Sequence, residues 1–345
     1  VGDAIDHARF AALAGIQAEK LGRAHLQERI ARLVCNQLGQ QLLRPALFTN
    51  MNERHQIQLI ESTLKLLILA FYRDLARQVA QREGDAGQQP TTRILELGCG
   101  SGRLLIPLAR DGHEVWGIDR AAPMLRYCHD QVHRTKRLNA RARARVHILQ
   151  GDFRHVPLAS ASDANTGAGT GAGFPLITCP FNAFNHLYTL ADVERFFAEV
   201  RRLLAPDGIF AFDISHPDPA WLSRDPQRRY ARTRFRHPTT GERLIYSTSH
   251  EYDPATQIDL IRFYYEPDPA ATASPTKGAS GQKRAKSGAS PWPRTIQLTQ
   301  RLFFPAEIEA LLHYAGFQPF YHAGGFDGEP LSLVSVEQVI CARVR

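Results

Sequence analysis

The spacing of hydrophobic and polar positions changes three times along this chain. Near the start, Leu26, Ile30, Leu33, Leu38 and Leu42 recur at roughly helical intervals until Pro45 ends the run. Ile57, Ile60, Leu64, Leu67, Phe71 and Leu75 then follow at steps of three and four, one face of a second helix that Asn50 or Asn52 can cap. Residues 1–89 therefore read as a helical extension closed by a polar linker, Glu83 to Gln89. From residue 90 the apolar runs shorten. Ile94–Leu97 reads as a buried strand, Leu104–Ala109 as helix, and Glu114–Ile118 as a strand ending in Asp119. Met124, Leu125 and Tyr127 open a helix, and Arg145–Gln150 is the next strand. This is a β-α-β-α-β run over residues 90–152. Leu176–Thr178 is a further buried strand. Ala191–Leu204 is an amphipathic helix with Val193, Phe196, Phe197, Val200 and Leu203 on one side, followed by the turn Pro206-Asp207-Gly208 and the strand Ile209–Ile214.

The third regime alternates with period two. Ile258, Leu260, Arg262 and Tyr264 alternate with Asp259, Ile261, Phe263 and Tyr265; Ile296, Leu298, Gln300, Leu302 and Phe304 form a similar stripe; Leu244–Tyr252 is a third strand, joined to the next by Asp253-Pro254-Ala255-Thr256. Residues 218–304 thus read as an antiparallel β insertion. Its tip, 270–293, is rich in Ser, Gly, Ala and Pro and is expected to be disordered, as is the insertion Ser160–Gly173. Pro305–Phe317 returns to helix, and Val334–Ala342 is the last strand, so 90–217 and 305–345 together form the expected core.

Composition narrows the class. At 345 residues, 43% hydrophobic, the chain holds ample core. Its net charge of +8 is local: Lys277, Lys283, Arg284 and Lys286 share the tip, and Arg134, Lys136, Arg137, Arg141, Arg143 and Arg145 form an acid-free run. A solvated surface is the favoured reading of both, with an anionic or nucleic-acid partner as the rival. Five scattered cysteines with no C-x-x-C pair exclude a disulfide framework or zinc ribbon, predict no metal, and fit a reducing cytoplasm. The longest strongly apolar run, Leu66–Tyr72, is far too short to span a membrane, and no signal-peptide pattern opens the chain.

Chemistry concentrates in ILELGCGSGRL, Ile94–Leu104. Three alternate glycines, Gly98, Gly100 and Gly102, lie between a strand and a helix, the layout that brings a ligand against bare backbone at a helix N-terminus. A dinucleotide fingerprint would need glycine where Arg103 stands. Asp119 lies about 20 residues beyond the loop, at a strand end, where a carboxylate can accept hydrogen bonds from ribose hydroxyls. With Glu96 two residues before the first glycine, the stretch resembles motif I of the class I S-adenosylmethionine-dependent methyltransferases, and the resemblance runs along most of the chain after about Phe71. It implies a Rossmann-like α/β fold, a seven-stranded, mostly parallel sheet with helices on both faces. It also implies S-adenosyl-L-methionine as cofactor, with Tyr72, Glu96, Gly98, Cys99, Gly100, Gly102, Asp119, Arg120, Met124, Asp152, Phe153 and Cys179 around it. In that resemblance Asp152 meets the adenine amino group and the Phe153 backbone N–H meets a ring nitrogen.

The segment TCPFNAFNHL, Thr178–Leu187, runs off a strand end and should line the crevice where methyl donor and acceptor meet. Amino-methylating nucleic-acid enzymes of the family carry Asn or Asp, two prolines and an aromatic there. This chain has Cys179, Pro180 and Phe181, closer to small-molecule members. The acidic residue usual near Pro175 is also missing. His186 is the candidate base, because an imidazole exchanges a proton near neutral pH. Asn182, Asn185, His216, Arg262, Tyr264 and Arg301 are candidate acceptor-binding residues. The expected function is methyl transfer to an O or N of a small-molecule acceptor, the chain acting alone or as a homodimer. The rivals are an RNA or peptide methyltransferase using the basic surface, a nicotinamide oxidoreductase, and a non-catalytic cofactor-binding module.

Overall fold

The computed structural model describes residues 53–83, 90–134, 138–159, 173–237, 240–272, 292–333 and 335–345, with side chains of the first helix described from residue 66. The expectations for Leu26–Leu42, for Asn50 and Asn52, for the side chains of Ile57, Ile60 and Leu64, for the insertion Ser160–Gly173 and for the lysines and arginine of the 270–293 tip lie outside the described residues.

A seven-stranded sheet carries the molecule. In chain order its strands are β1 (Arg93–Leu97), β2 (Glu114–Asp119), β3 (Val146–Gln150), β4 (Phe174–Cys179), β5 (Leu204–Ser215), β10 (Phe317–Ala323) and β11 (Glu337–Val344). Their spatial order is β10-β11-β5-β4-β1-β2-β3. The first five pair in parallel, and β11 lies antiparallel between β5 and β10. This is the expected seven-stranded, mostly parallel Rossmann-like sheet. Its central strands read as unbroken apolar runs because both faces are buried. Leu95, Leu97, Ile177, Phe210 and Phe212 face one core with Phe184, Phe196, Phe197, Phe303 and Phe317. Ile94, Leu176, Ile209 and Ala211 face the other with Tyr72, Leu75, Leu104, Leu105 and Cys128.

Helices α1 (Glu53–Glu83), α2 (Leu105–Arg110) and α3 (Ala122–Arg134) supply residues to the second core; α5 (Leu190–Leu203) and α8 (Pro305–Tyr314) supply the first. The buried stripe of α1 keeps the expected Leu67 and Leu75 and is wider than the sequence reading. It is Leu67, Ile68, Tyr72, Leu75, Ala76, Val79 and Ala80, and Phe71 is only half-buried. The Tyr72 hydroxyl bonds into the sheet, as described below. A short α4 (Ala140–Arg143), capped by Asn139, interrupts the arginine run. Arg145 there donates to the Gly112 carbonyl and Arg134 lies 3.6 Å from Asp130, so two of these cations have partners within the fold.

A second, antiparallel sheet has the order β6-β7-β8-β9, from Tyr230–Arg236, Arg243–Asp253, Ile258–Pro267 and Arg294–Arg301. Two further short helices, α6 (Pro219–Leu222) and α7 (Pro269–Thr272), flank it. It is joined to the first sheet's ligand-facing end: Asn185 Nδ2 donates to the Arg301 carbonyl at 3.0 Å and Tyr188 Oη to the Thr299 carbonyl at 3.0 Å. Among the described residues no helix is long and apolar enough to cross a membrane.

Candidate active site

The glycine loop leaves β1 and is stitched at once to β2. Gly98 N and Cys99 N both donate to the Ile118 carbonyl, at 2.8 and 3.0 Å. All three glycines have φ between +50° and +80°, a region L side chains rarely adopt. They are not equivalent. A Cβ at Gly98 would stand 2.8 Å from the Ala183 Cβ, and one at Gly102 2.5 Å from the Cys128 sulfur, so protein atoms already fill those places. A Cβ at Gly100 meets nothing nearer than Met124 Cε at 3.6 Å and Asp119 Oδ2 at 3.9 Å. Gly100 is therefore the point where bare backbone faces a gap, with Asp119 and Met124 on its far side.

Asp119 spends one lone pair of each oxygen on the chain: Oδ2 accepts from Gly100 N at 2.9 Å and Oδ1 from Ala121 N at 2.7 Å. Each carboxylate oxygen has a second lone pair, so the group can still accept from a diol. Glu96 is 2% exposed, beneath the loop, and its Oε2 has no hydrogen-bond partner. Burial, then the charge of Asp119, pushes its carboxyl up from 4.5 to about 8, with Arg103 and the Leu105 N–H pulling the other way. At the end of β3, Asp152 is gripped by Arg154, Nε to Oδ1 at 2.9 Å and Nη2 to Oδ2 at 2.6 Å, which holds its carboxyl below the usual range. Arg154 also bonds Asp192 at the start of α5. The Phe153 ring turns inward against Phe196, 5.3 Å between centroids.

On the other side of the loop, β4 ends in a turn built on two left-handed, non-glycine residues, Phe181 (φ 59°) and Asn182 (φ 61°). Phe181 N and Asn182 N each donate to Asp213 of β5, at 3.1 Å to Oδ1 and 3.1 Å to Oδ2, and Tyr72 Oη of α1 donates to Oδ1 at 2.6 Å. Asp213 is 1% exposed; burial raises its carboxyl to about 6 against the pull of these three bonds. The turn lies directly on the glycine loop. Ala183 abuts Gly98, and the Arg103 guanidinium sits 4.7 Å over the Phe181 ring.

Comparison with known proteins shows what this chain is similar to. Residues 94–208 match the family model of a methyltransferase domain. YqeM of Bacillus subtilis (strain 168) is 32% identical over 122 residues, 35% of this chain and 42% of that protein; GWCH70_2453 of Geobacillus sp. (strain WCH70) is 27% identical over 128 residues, 37% and 44%. Both bear provisional methyltransferase names, and the chain spans less than half the length of either. The CcbJ methyltransferase of Streptomyces caelestis superposes with a TM-score of 0.56 at 18% identity, over 81% of this chain and 89% of its own. An S-adenosylmethionine-dependent methyltransferase of Clostridium acetobutylicum ATCC 824 gives 0.56 at 13%, over 92% and 98%. Residues 94–208 are a methyltransferase domain by that match, in a fold shared with these solved methyltransferases.

Around this methyltransferase domain the other expected site residues distribute as follows. Arg120 is exposed beside Asp119, and Cys99 and Cys179 are buried thiols beneath the loop and the turn. His186 ends the short 3₁₀ turn Ala183–His186, exposed, with Nδ1 3.2 Å from Tyr188 Oη. That hydroxyl gives its one proton to the Thr299 carbonyl. The imidazole must then be the donor through Nδ1, and in the neutral ring Nε2 keeps the lone pair. Asn185 is 1% exposed with Oδ1 unpartnered, and Asn182 Oδ1 is likewise buried without a partner. His216 follows β5, its N–H bonded to the Val336 carbonyl at 2.9 Å. The described polar contacts of Arg262, Tyr264 and Arg301 stay within the antiparallel sheet and its neighbours. Arg262 pairs with Glu251 at 2.7 Å, Tyr264 Oη lies 3.1 Å from Ser249 Oγ, and Arg301 bonds Gln257 and Glu307. Sequence reasoning missed Asp213, Arg103 as a neighbour of Phe181, and Gly117. A Cβ on Gly117 would lie 2.3 Å from Leu105 Cδ1, and a glycine inside a strand is itself a sign of close approach.

Proposed function

We propose that this protein transfers the methyl group of S-adenosylmethionine to an oxygen or nitrogen of a small-molecule acceptor. One observation carries the cofactor half: the gap at Gly100, bordered by Asp119, above the unpartnered buried Oε2 of Glu96. A bare-backbone cradle and two carboxylates suit a cation with a ribose diol and an ammonium group. Asp119 would receive the ribose hydroxyls, Asp152 and the Phe153 N–H the adenine edge, and Glu96 the positive end. The bound cofactor supplies a methyl already activated by its sulfonium, so the chain's task is alignment, which is worth up to roughly 7–11 kcal/mol when both partners are held.

The acceptor half rests on the turn after β4. It sets Asn182 next to Ala183, which abuts Gly98, and carries His186, an exposed imidazole in reach of an acceptor's proton. For a protonated acceptor His186→Ala should leave cofactor affinity intact and slow transfer by about 10²–10⁴-fold. The antiparallel sheet, hydrogen-bonded to the same turn through Asn185 and Tyr188, forms one wall of the acceptor pocket in this reading, and α1 closes the opposite side. The three units 1–89, 90–217 with 305–345, and 218–304 then divide the labour as extension, core and acceptor cover. The four described cysteines are all free and buried, which supports a reducing, cytoplasmic setting.

The test is tritium transfer from methyl-labelled S-adenosylmethionine to a panel of primary amines, secondary amines, alcohols and phenols. Label in an organic product supports the reading. Calorimetry supplies the second arm. Asp119→Ala removes charge-assisted bonds worth about 1.5–3 kcal/mol each, so affinity should fall at least tenfold. Equal affinity would remove Asp119 from the cofactor site.

A further inference from the structure

We infer that Asp213 is a positioning residue, one whose carboxylate holds the Phe181–Asn182 turn in the form that presents the acceptor side to the glycine loop, and that Tyr72 of α1 steadies it. The inference rests on the proposed acceptor site and extends it to a residue in the sheet interior.

The turn needs a holder. Two consecutive L residues in the left-handed region are disfavoured, and neither Phe181 nor Asn182 is glycine. Their adjacent N–H groups converge on one carboxylate, one on each oxygen, a concavity of backbone donors closed on an anion. In this form Phe181 lies under Arg103 and Ala183 against Gly98. The same form leaves Asn182 Oδ1 buried and unpartnered next to the loop. The third donor, Tyr72 Oη, comes from a helix 141 residues earlier in the chain. Asp213 is thus where α1, β5 and the acceptor-side turn meet. Its one partner from the expected cofactor set is Tyr72, which is 0% exposed and spends its hydroxyl on Asp213, so the structure moves Tyr72 from the cofactor to this contact and the effect of Asp213 on transfer runs through the turn.

A purely structural staple would lower stability and affect both substrates alike. A positioning residue separates them. The experiment uses the full chain, ¹⁵N-labelled, as wild type, Asp213→Asn and Tyr72→Phe. In folded Asp213→Asn the amide protons of Phe181 and Asn182 should move upfield, while those of Gly100 and Ala121, held by Asp119, stay. Affinity for S-adenosylmethionine should hold within about twofold. With the best acceptor of the amine and alcohol panel, KM should rise or kcat fall so that kcat/KM drops about tenfold or more. Tyr72→Phe retains both amide bonds and should give the same direction at about two- to threefold. It also supplies the answer if Asp213→Asn does not fold. Unmoved amides in folded Asp213→Asn, or cofactor affinity falling in step with acceptor turnover in either variant, overturns the inference. A wild type that neither binds the cofactor nor transfers label defeats the functional reading instead, and the amide arm still decides whether Asp213 holds the turn.

Discussion

At the scale of single residues, the glycine loop separates two demands that look alike in sequence. Gly98 and Gly100 both have positive φ, but only Gly98 is walled in by the protein. Gly98→Ala must push Ala183, and with it the turn that Asp213 holds. It should cost about 2–4 kcal/mol in denaturant unfolding, combining backbone strain with overpacking. Gly100→Ala meets only ordinary van der Waals contact, with Met124 Cε at 3.6 Å and Asp119 Oδ2 at 3.9 Å, so its stability cost should stay near 1 kcal/mol, the strain alone. Its methyl would stand in the gap beside Asp119, so cofactor affinity measured by calorimetry should fall at least tenfold, the cost of a blocked backbone approach. If the two variants showed the opposite pattern, stable and non-binding at 98 and unstable and binding at 100, the gap would have been placed on the wrong glycine.

At the scale of elements, helix α5 shows how a cap and a site can share one group. Asp192 accepts from Thr189 N at 3.2 Å and from Thr189 Oγ1 at 2.8 Å, while Thr189 Oγ1 accepts from Asp192 N at 3.1 Å, a closed capping box. Arg154 ties the same carboxylate to Asp152 at the adenine edge. Asp192→Ala should therefore destabilise the fold by about 1–2 kcal/mol, seen in chemical denaturation. Cofactor affinity should change little, since Arg154 keeps both bonds to Asp152. The period of the apolar positions made this helix legible to within one residue, because a buried stripe is a local pattern; of the strands on either side only the cores were read, since β5 begins at Leu204 and takes in the expected turn Pro206-Asp207-Gly208. The same logic held in part on α1, where the expected Leu67 and Leu75 are buried and Phe71 packs against the core. The buried face is wider than the stripe read, taking in Ile68, Tyr72 and Ala76, with Tyr72 bonded to Asp213. Asp213 itself was invisible for a related reason. It sits in Ile209–Ile214 as one polar letter among apolar ones, and its importance lies in backbone amides 31 and 32 residues away. The left-handed turn was equally hidden, since neither of its residues is a glycine. The loop and Asp119 were readable because their chemistry is written in residue type at fixed spacing.

At the scale of the whole molecule, the two buried carboxyls link stability, pH and cofactor. Glu96 is raised from 4.5 to about 8 and Asp213 from 3.8 to about 6, so the folded state binds more protons than the unfolded chain across those windows. Stability is therefore lost as pH rises, from about 4 to 6 for Asp213 and on to about 8 for Glu96, with a limiting slope near 1.4 kcal/mol per pH unit for each. His113 opposes this: burial lowers its pKa, so its charging costs the fold below neutrality and the cost vanishes as pH rises. The difference between wild type and Glu96→Gln isolates one group. Thermal unfolding of the two should converge near pH 5, and the variant should become the more stable by pH 8. A cation seated against Glu96 reverses the balance, because it favours the ionised form. Binding S-adenosylmethionine should accordingly release protons near neutral pH and tighten between pH 6 and 8. Calorimetry in two buffers of different ionisation enthalpy reads that release directly. Proton uptake, or an affinity flat across the interval, would mean that the buried carboxyl does not face the cofactor's charge, and Glu96 would then act only as a cap for the first turn of α2.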